Sequence, residues 1–589
     1  MPWTEDVQWD LESVVAGGPL DGAFAAQMSA LEAEVETIVV DADALGEPDA
    51  GDGWASTLRR LFDLGDRAHQ LGTWAACYAS THPHEPAALR AQARASAIEG
   101  RIARAWTTPR DRITRAAPEA IEALLSHPDL RQERAWVADL RAVAHLLLPP
   151  GEAALVTDLS EDGANAWGRL YERVSGRLIV TVGGERLSAM QAQNRMESPD
   201  RAIRATTFAA TLQAWGEHAE TCADALTHIY GTRRVLHARL GVDELAEPLA
   251  HNRISAASLD AVLQTCADGR SIMGRYLAAK ARRMGLSQLE WYDLRAPAGK
   301  FARTFTWAQA QDYVVTQFAR FSADLADYAR HAFAQRWVEA EDRSGKRPGA
   351  YCAGLPITRE SRVFMTFGGG MNSLLTLAHE LGHAYHNHVI LPLSPTRRRL
   401  TSSLAETAST FAEALVRGAA LEEAGSDEEV LALLDQNLSD AANFLMNIPM
   451  RFHFEKALHR LRAQGELVPE ELCETVGALQ REWYGPSLGS THPYFWAEKI
   501  HFYLADAPFY NFPYTFGFLF SGLVYLRAQA EGPRWAQGYV ALLRETGSGP
   551  AEDVARDHLG VDLRDPAAFR PVLDHLAAQV DRYEALAKG

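Results

Sequence analysis

The chain has 589 residues, 47% apolar and 23% charged, a globular balance with enough apolar mass for a large core and two lobes. Its 76 acidic residues against 58 basic ones give a net charge of −18, which argues against nucleic acid or an anionic membrane as a principal partner. No run of about 18 apolar residues is present to span a membrane, and Met1-Pro2-Trp3-Thr4-Glu5-Asp6 has neither the basic nor the apolar region of a secretory signal, so a cytoplasmic location is expected.

Stretches rich in alanine, leucine and arginine, such as residues 87–104 and 430–446, predict a mostly α fold. Leu178-Ile179-Val180-Thr181-Val182 followed by Gly183-Gly184 predicts one hairpin. A boundary is expected near residue 195, at Met196-Glu197-Ser198-Pro199-Asp200, giving a helical lobe over 1–195 and a second domain over 196–589. Residues 361–367 read as a strand ending at Gly368-Gly369-Gly370, and an extended peptide could pair with such an edge. The glycines would allow close backbone approach, or simply connect strand to helix. They lack the lysine and spacing of a phosphate loop.

The next helix is expected to start with Asn372 and Ser373 as capping residues and to stop at Pro392. It carries His379-Glu380-Leu381-Gly382-His383. Histidines four apart in a helix advance about 400° and point the same way, so His379 and His383 can share one metal ion, with zinc the leading candidate. Glu380 lies roughly 100° round the helix, where its carboxylate reaches water rather than the metal. A chance match in a chain with 20 histidines is the bland alternative, and the capped helix argues against it.

A catalytic zinc usually takes three protein ligands. His386 is about 10.5 Å along the axis from His379, too far for nitrogens that must lie within about 4.2 Å of each other. The elongated motif with a third histidine would need one at position 389, which is Val389. Carboxylates of a second helix remain. Residues 402–415 read as that helix, with a serine cap, Leu404, Ala408, Phe411 and Leu415 on an apolar face, and Glu406 and Glu413 on nearly the same side. Between the two helices, Arg397-Arg398-Arg399 reads as a solvated loop or as a contact for an acidic substrate group. Ser426 and Glu429 are spaced as a capping box for the helix that follows. Five cysteines, Cys77, Cys222, Cys266, Cys352 and Cys473, show no paired spacing and fit free thiols.

Leu377-Ala378-His379-Glu380-Leu381-Gly382-His383-Ala384-Tyr385-His386 followed by Ala405-Glu406-Thr407-Ala408-Ser409-Thr410-Phe411-Ala412-Glu413 resembles the oligoendopeptidase F branch of the thimet oligopeptidase family of zinc metallopeptidases. The resemblance extends to Trp9-Asp10-Leu11-Glu12-Ser13-Val14, to Gly345-Lys346-Arg347-Pro348-Gly349-Ala350-Tyr351-Cys352, and to Ile500-His501-Phe502-Tyr503 with Phe509-Tyr510-Asn511-Phe512-Pro513-Tyr514. It implies Glu406 as third ligand of one Zn2+ per chain, a place near the site for Glu413, and His501, Tyr510 and Tyr514 as cleft residues opposite the metal. It further implies a two-lobed helical metallopeptidase with a small β-sheet beside the motif helix, a deep interlobe channel, and 196–589 as the catalytic domain. The expected activity is hydrolysis of internal bonds in short unfolded oligopeptides. Glu380 is the expected general base, and His501, Tyr510 or Tyr514 donate to the oxyanion. Two rivals stand beside it: a zinc carboxypeptidase on a related scaffold, which needs a group for the free carboxylate, and a catalytically silent peptide-binding protein.

Overall fold

Apolar side chains recur every three or four positions along the first long helices, and that spacing builds their core. The helix Gly22–Asp43 buries Phe24, Met28, Leu31, Val35, Ile38 and Ala42 on one stripe. This stripe packs against Asp52–Thr81 and Pro86–Ala105, which add Leu58, Leu61, Trp74 and Ile98 to one continuous cluster. The computed structural model describes residues 5–19, 22–299 and 303–588. Over these the chain is predominantly helical with two small sheets, as the composition predicts. No helix among the described residues is long and apolar enough to cross a membrane, and all five cysteines are free thiols.

Two compact units are each assembled from three stretches of chain: Met1–Ala144, Arg303–Ala419 and Val524–Gly560 in the first, His145–Ala302, Ala420–Leu523 and Val561–Gly589 in the second. Residue 195, where a single cut was expected, lies inside the second unit.

In the second unit, strands β1 (Ile179–Val182) and β2 (Glu185–Ser188) form the predicted hairpin. Gly183 and Gly184 turn it with φ of 59° and 89°, a left-handed pair that only glycine adopts cheaply. A buried polar knot ties its helices: Lys280 Nζ lies 3.1 Å from Asp435 Oδ2, while Tyr276 and Tyr583 donate to Asp435 Oδ1 at 2.9 and 3.0 Å. Ser426 caps Asp427–Ala442 by accepting the Glu429 N–H at 3.2 Å, but the Glu429 carboxylate accepts from Gly425 instead of closing the expected box.

The first unit holds β3 (Val338–Glu339), β4 (Tyr351–Leu355) and β5 (Glu360–Phe364) in the order β3-β5-β4. This corrects the expectation that residues 361–367 offer an edge: β5 is central, antiparallel to β4 across a hairpin and parallel to β3. Both its ladders are used, so it cannot take up a peptide. The motif helix packs on β4 and β5, and Trp9 covers the sheet from the amino-terminal segment, with its ring 5.6 Å from that of Phe364. Arg362, fully buried, donates to Asp10 O at 2.8 and 3.0 Å and fastens the same segment.

Candidate metal centre

The motif helix runs Met371–Ile390 and ends before Pro392 as predicted, but its N-cap is Gly370, with no side-chain cap. Ser373 turns back to accept the Gly368 N–H at 3.0 Å, which stiffens the glycine loop. Burial of Leu374, Leu377, Ala378, Leu381 and Tyr385 against the sheet and its neighbours fixes the rotation of the helix. His379 and His383 then share another face, with ring centroids 5.0 Å apart.

Their Nε2 atoms lie 3.3 and 3.2 Å from one atom, Glu406 Oε2. The three donors all fall within 4.8 Å of one another. Atoms bound to a common zinc at ~2.1 Å are at most ~4.2 Å apart, so both histidine–glutamate separations suit a shared ion, and two imidazoles with a carboxylate are a common zinc donor set. Each of the three side chains keeps 23–32% exposure, so one side of the group stays open to solvent.

Glu406 reaches this position because the second helix is interrupted. A single helix over 402–415 was expected; the chain instead forms Ser402–Ala405, leaves helical geometry at Glu406 with φ −85° and ψ 3°, and resumes as Thr407–Glu423. Ser409 Oγ is 3.0 Å from Glu406 O and 2.7 Å from Glu406 Oε2, so its hydroxyl fixes the carboxylate at the break.

Glu413 stands two turns further on. Its Oε2 lies 3.3 Å from His379 Nδ1, and its Oε1 accepts from Arg417. The carboxylate orients the imidazole through Nδ1, so that Nε2 is the nitrogen turned toward Glu406, where a bound cation would displace its proton. Burial disfavours charge on His379, but Glu406 and then Glu413 outweigh it and push the imidazole pKa up to about 10. Against burial, His379 and His383 hold the Glu406 carboxyl far below the usual carboxylate range. Glu413 is held at about 2, where Arg417 and His379 overcome burial. Carboxylates packed this closely around two imidazoles are a site that stabilises added positive charge.

Glu380 is 6% exposed. Burial raises its carboxyl pKa, with His379 and His383 opposing. Among the described residues its Oε2 is buried without a hydrogen-bond partner. An under-solvated carboxylate whose pKa burial has raised, beside the candidate ligands, can take and return a proton. His386 faces away from this chemistry: it is buried, and its Nε2 lies 2.8 Å from Thr546 Oγ1.

Gly382 was not singled out by sequence reasoning, and it decides how closely the two helices meet. A Cβ there would lie 2.5 Å from Ala408 O, 2.7 Å from Ser409 Cα and 2.9 Å from Ala412 Cβ. The small residues opposite it were the available signal. Arg417 was also missed, although its spacing of four from Glu413 is that of a helical ion pair.

The arginine run is only partly the solvated loop expected. Arg397 donates to Glu545 at 2.7 Å and Ser548 at 2.9 Å, and Arg398 to Asp66 at 2.7 Å. In the second unit, His501, Tyr510 and Tyr514 form one aromatic group, with ring centroids 5.5 Å apart for the first pair and 5.7 Å for the second. Burial, then Arg451 and Lys499, push the His501 pKa down to about 4, so it is a neutral imidazole at pH 7. Phe509 precedes Tyr510 in a left-handed conformation, φ 53°, and its N–H donates to buried Glu455 at 2.8 Å.

Comparison with known proteins places this arrangement. The Bacillus subtilis oligopeptidase PepF is 26% identical over 402 residues, 67% of this chain and 59% of that protein, so the match spans less than two thirds of the relative. The group B oligopeptidase PepB of Streptococcus agalactiae is 24% identical over 516 residues, covering 85% of this chain and 84% of its own. The fold is that of the crystal structure of oligoendopeptidase-F from Enterococcus faecium, with a TM-score of 0.72 at 17% identity over 96% of this chain and 99% of the other. The family model described as oligopeptidase F matches residues 113–178, ending shortly before the boundary expected near 195. The model for peptidase family M3 takes up at residue 194 and continues to 570, through both motif helices and the aromatic group, and on that span the chain belongs to peptidase family M3.

Proposed function

We propose that the chain is a zinc-dependent oligoendopeptidase that hydrolyses internal bonds of short, unfolded peptides. The convergence of His379 Nε2 and His383 Nε2 on Glu406 Oε2 carries this reading. These three residues would hold Zn2+, one per chain, which when bound supplies a Lewis acid that polarises the scissile carbonyl and makes water more acidic.

The chain's own groups do the rest. Glu413 keeps His379 in the tautomer and orientation a ligand needs. Glu380 accepts the proton of the attacking water and then delivers it to the departing amide nitrogen, a shuttle suited to a carboxylate whose pKa burial has raised. His501, Tyr510 and Tyr514 are the proposed donors to the oxygen that gains negative charge, and a neutral His501 can donate an N–H there. Short peptides as substrates are supported by the names of the relatives, which are oligopeptidases and oligoendopeptidases. A reducing, cytoplasmic setting is supported by the five free thiols.

The test uses an internally quenched peptide blocked at both ends, with bound zinc measured in parallel. The parent should cleave it, and Glu380→Gln should keep its zinc while losing about 10²–10⁴ in turnover. Cleavage only of peptides with a free carboxyl terminus would make the protein a carboxypeptidase. Zinc and peptide binding without any cleavage would make it a peptide-binding protein.

A further inference from the structure

The stretch from Tyr503 to Asn511, which carries Tyr510, belongs to no helix or strand, so its backbone polar groups depend on partners from elsewhere in the second unit. Buried side chains supply them. Arg233 on the helix Ala219–Leu240 donates from Nη2 to Leu504 O, and Glu455 on the helix Ile448–Gln464 accepts the Phe509 N–H at 2.8 Å. The loop is thus gripped at both ends by groups only 6% and 1% exposed.

From residue 509 to 511 the chain points inward, outward and inward again. Phe509 is buried with its ring 5.2 Å from Phe452 and 5.6 Å from His459, which share the Glu455 face of their helix at spacings of three and four. Asn511, also buried, accepts from Arg451 Nη1 at 3.2 Å, and Arg451 Nε donates in turn to Asn447 at 2.8 Å. Tyr510 between them is 38% exposed. The turn places Phe509 at φ 53°, in the left-handed region that is costly for a residue with a Cβ. Such a state persists where its surroundings enforce it, and the Glu455 oxygen on the Phe509 N–H is that constraint.

A core ion pair alone does not account for Glu455. Its Oε1 lies 3.7 Å from Arg233 Nη1, beyond hydrogen-bond distance, and Arg233 Nε and Nη1 have no hydrogen-bond partner among the described residues. Burial pushes the carboxyl up to about 7, against Arg233 and the Phe509 N–H. Charged or protonated, the group keeps an oxygen that can accept, so the position needs an acceptor rather than a charge.

We propose that Glu455, with Arg233 at the other end of the loop, is a positioning residue that holds Phe509 left-handed and so sets where the Tyr510 hydroxyl stands. This role rests on the reading of Tyr510 as a donor to the developing oxyanion, and it acts through Tyr510 without touching substrate. Misplacing such a donor by about 1 Å costs on the order of 10² in rate.

The test uses the full chain with Glu455→Met, which removes the acceptor, and Glu455→Gln, which keeps an oxygen in its place. On the blocked quenched peptide, Glu455→Met should lower kcat by about 10–100-fold with KM within about threefold and bound zinc at the parent level. Glu455→Gln should regain most of that loss. In a Tyr510→Phe background, Glu455→Met should cost less than about threefold more, because the group it positions is gone. Hydrogen exchange followed by mass spectrometry needs no turnover: the amides of residues 504–510 should exchange about tenfold faster in Glu455→Met than in the parent, and near the parent rate in Glu455→Gln. Loop exchange within about twofold of the parent in Glu455→Met, or an equal loss of kcat with and without the Tyr510 hydroxyl, would overturn the proposal. A parent that cuts no peptide would sink the peptidase reading alone, and loop exchange would still decide whether Glu455 holds the turn. If Glu455→Met does not fold, Glu455→Met combined with Arg233→Met removes both buried charges together and carries the same readouts.

Discussion

On the proposed zinc reading, adding a single methyl group at residue 382 should weaken metal binding at the candidate centre without altering any of its three donors. In Gly382→Ala the new Cβ falls 2.5 Å from Ala408 O and 2.7 Å from Ser409 Cα, while ordinary contact begins at 3.4 Å. Both are backbone atoms of a helix, so no flexible side chain can give way. The helix carrying Ser409 must retreat by about 0.9 Å, taking Glu406 with it. Metal–ligand distances tolerate about 0.2 Å, roughly a quarter of that displacement. Alanine gains about 1 kcal/mol in helix propensity, and overpacking costs about 1–3 kcal/mol, so the fold should survive with a net loss of roughly 0–2 kcal/mol. Zinc affinity should fall by about 100-fold, at or beyond the upper end of what loss of a ligand-orienting group costs. Competition against a chromophoric chelator measures the affinity, and a circular dichroism melt confirms folding. A folded variant with affinity within about threefold of the parent would refute the claim that this close approach sets the ligand geometry.

Glu413→Gln should leave the fold intact but weaken zinc by about 10–100-fold, because His379 Nδ1 loses its carboxylate; the same chelator competition reads the change. Tyr510→Phe should lower turnover of a blocked peptide by about 10²–10³ with zinc content unchanged, and a smaller effect would pass the donor role to Tyr514 or His501. Stability should fall as pH drops. His386 is buried with its pKa pushed down from 6.5 to about 3, so between these values the unfolded chain binds a proton that the folded chain refuses. The stabilisation is complete above pH 6.5 and is lost on acidification toward 3, about 2 kcal/mol of it by about pH 5. Urea unfolding at neutral pH and near pH 5 should show this drop, and His386→Asn should flatten it.

Local periodicity made part of the site legible. The histidine pair needs only a helix and a spacing of four, while burial of Leu374, Leu377 and Leu381 sets which way that helix is rotated. The hairpin at Gly183-Gly184 was readable for the same reason, since two adjacent left-handed residues all but require glycine. The break at Glu406 was not readable. Leu404, Ala405 and Ala408 favour helix on both sides of it, and the interruption shows only in the dihedrals and in the Ser409 hydroxyl that holds the carboxylate. The central place of β5 was hidden too, because a strand's own residues do not say how many partners it has.

By itself the sequence determined the helical character, the histidine pair and its adjacent carboxylate, and, through family resemblance, Glu406 as the third member of the group. Those features depend on backbone periods and residue chemistry within a few turns of chain. Tertiary structure alone decided that Glu406 Oε2 sits 3.2–3.3 Å from both imidazoles, that Glu413 reaches the far nitrogen of His379, and that Gly382 lets the helices touch. It also turned an arginine run into two ion pairs. Such contacts join residues distant in sequence, and their separations are set by how whole faces pack, a quantity that no local pattern encodes.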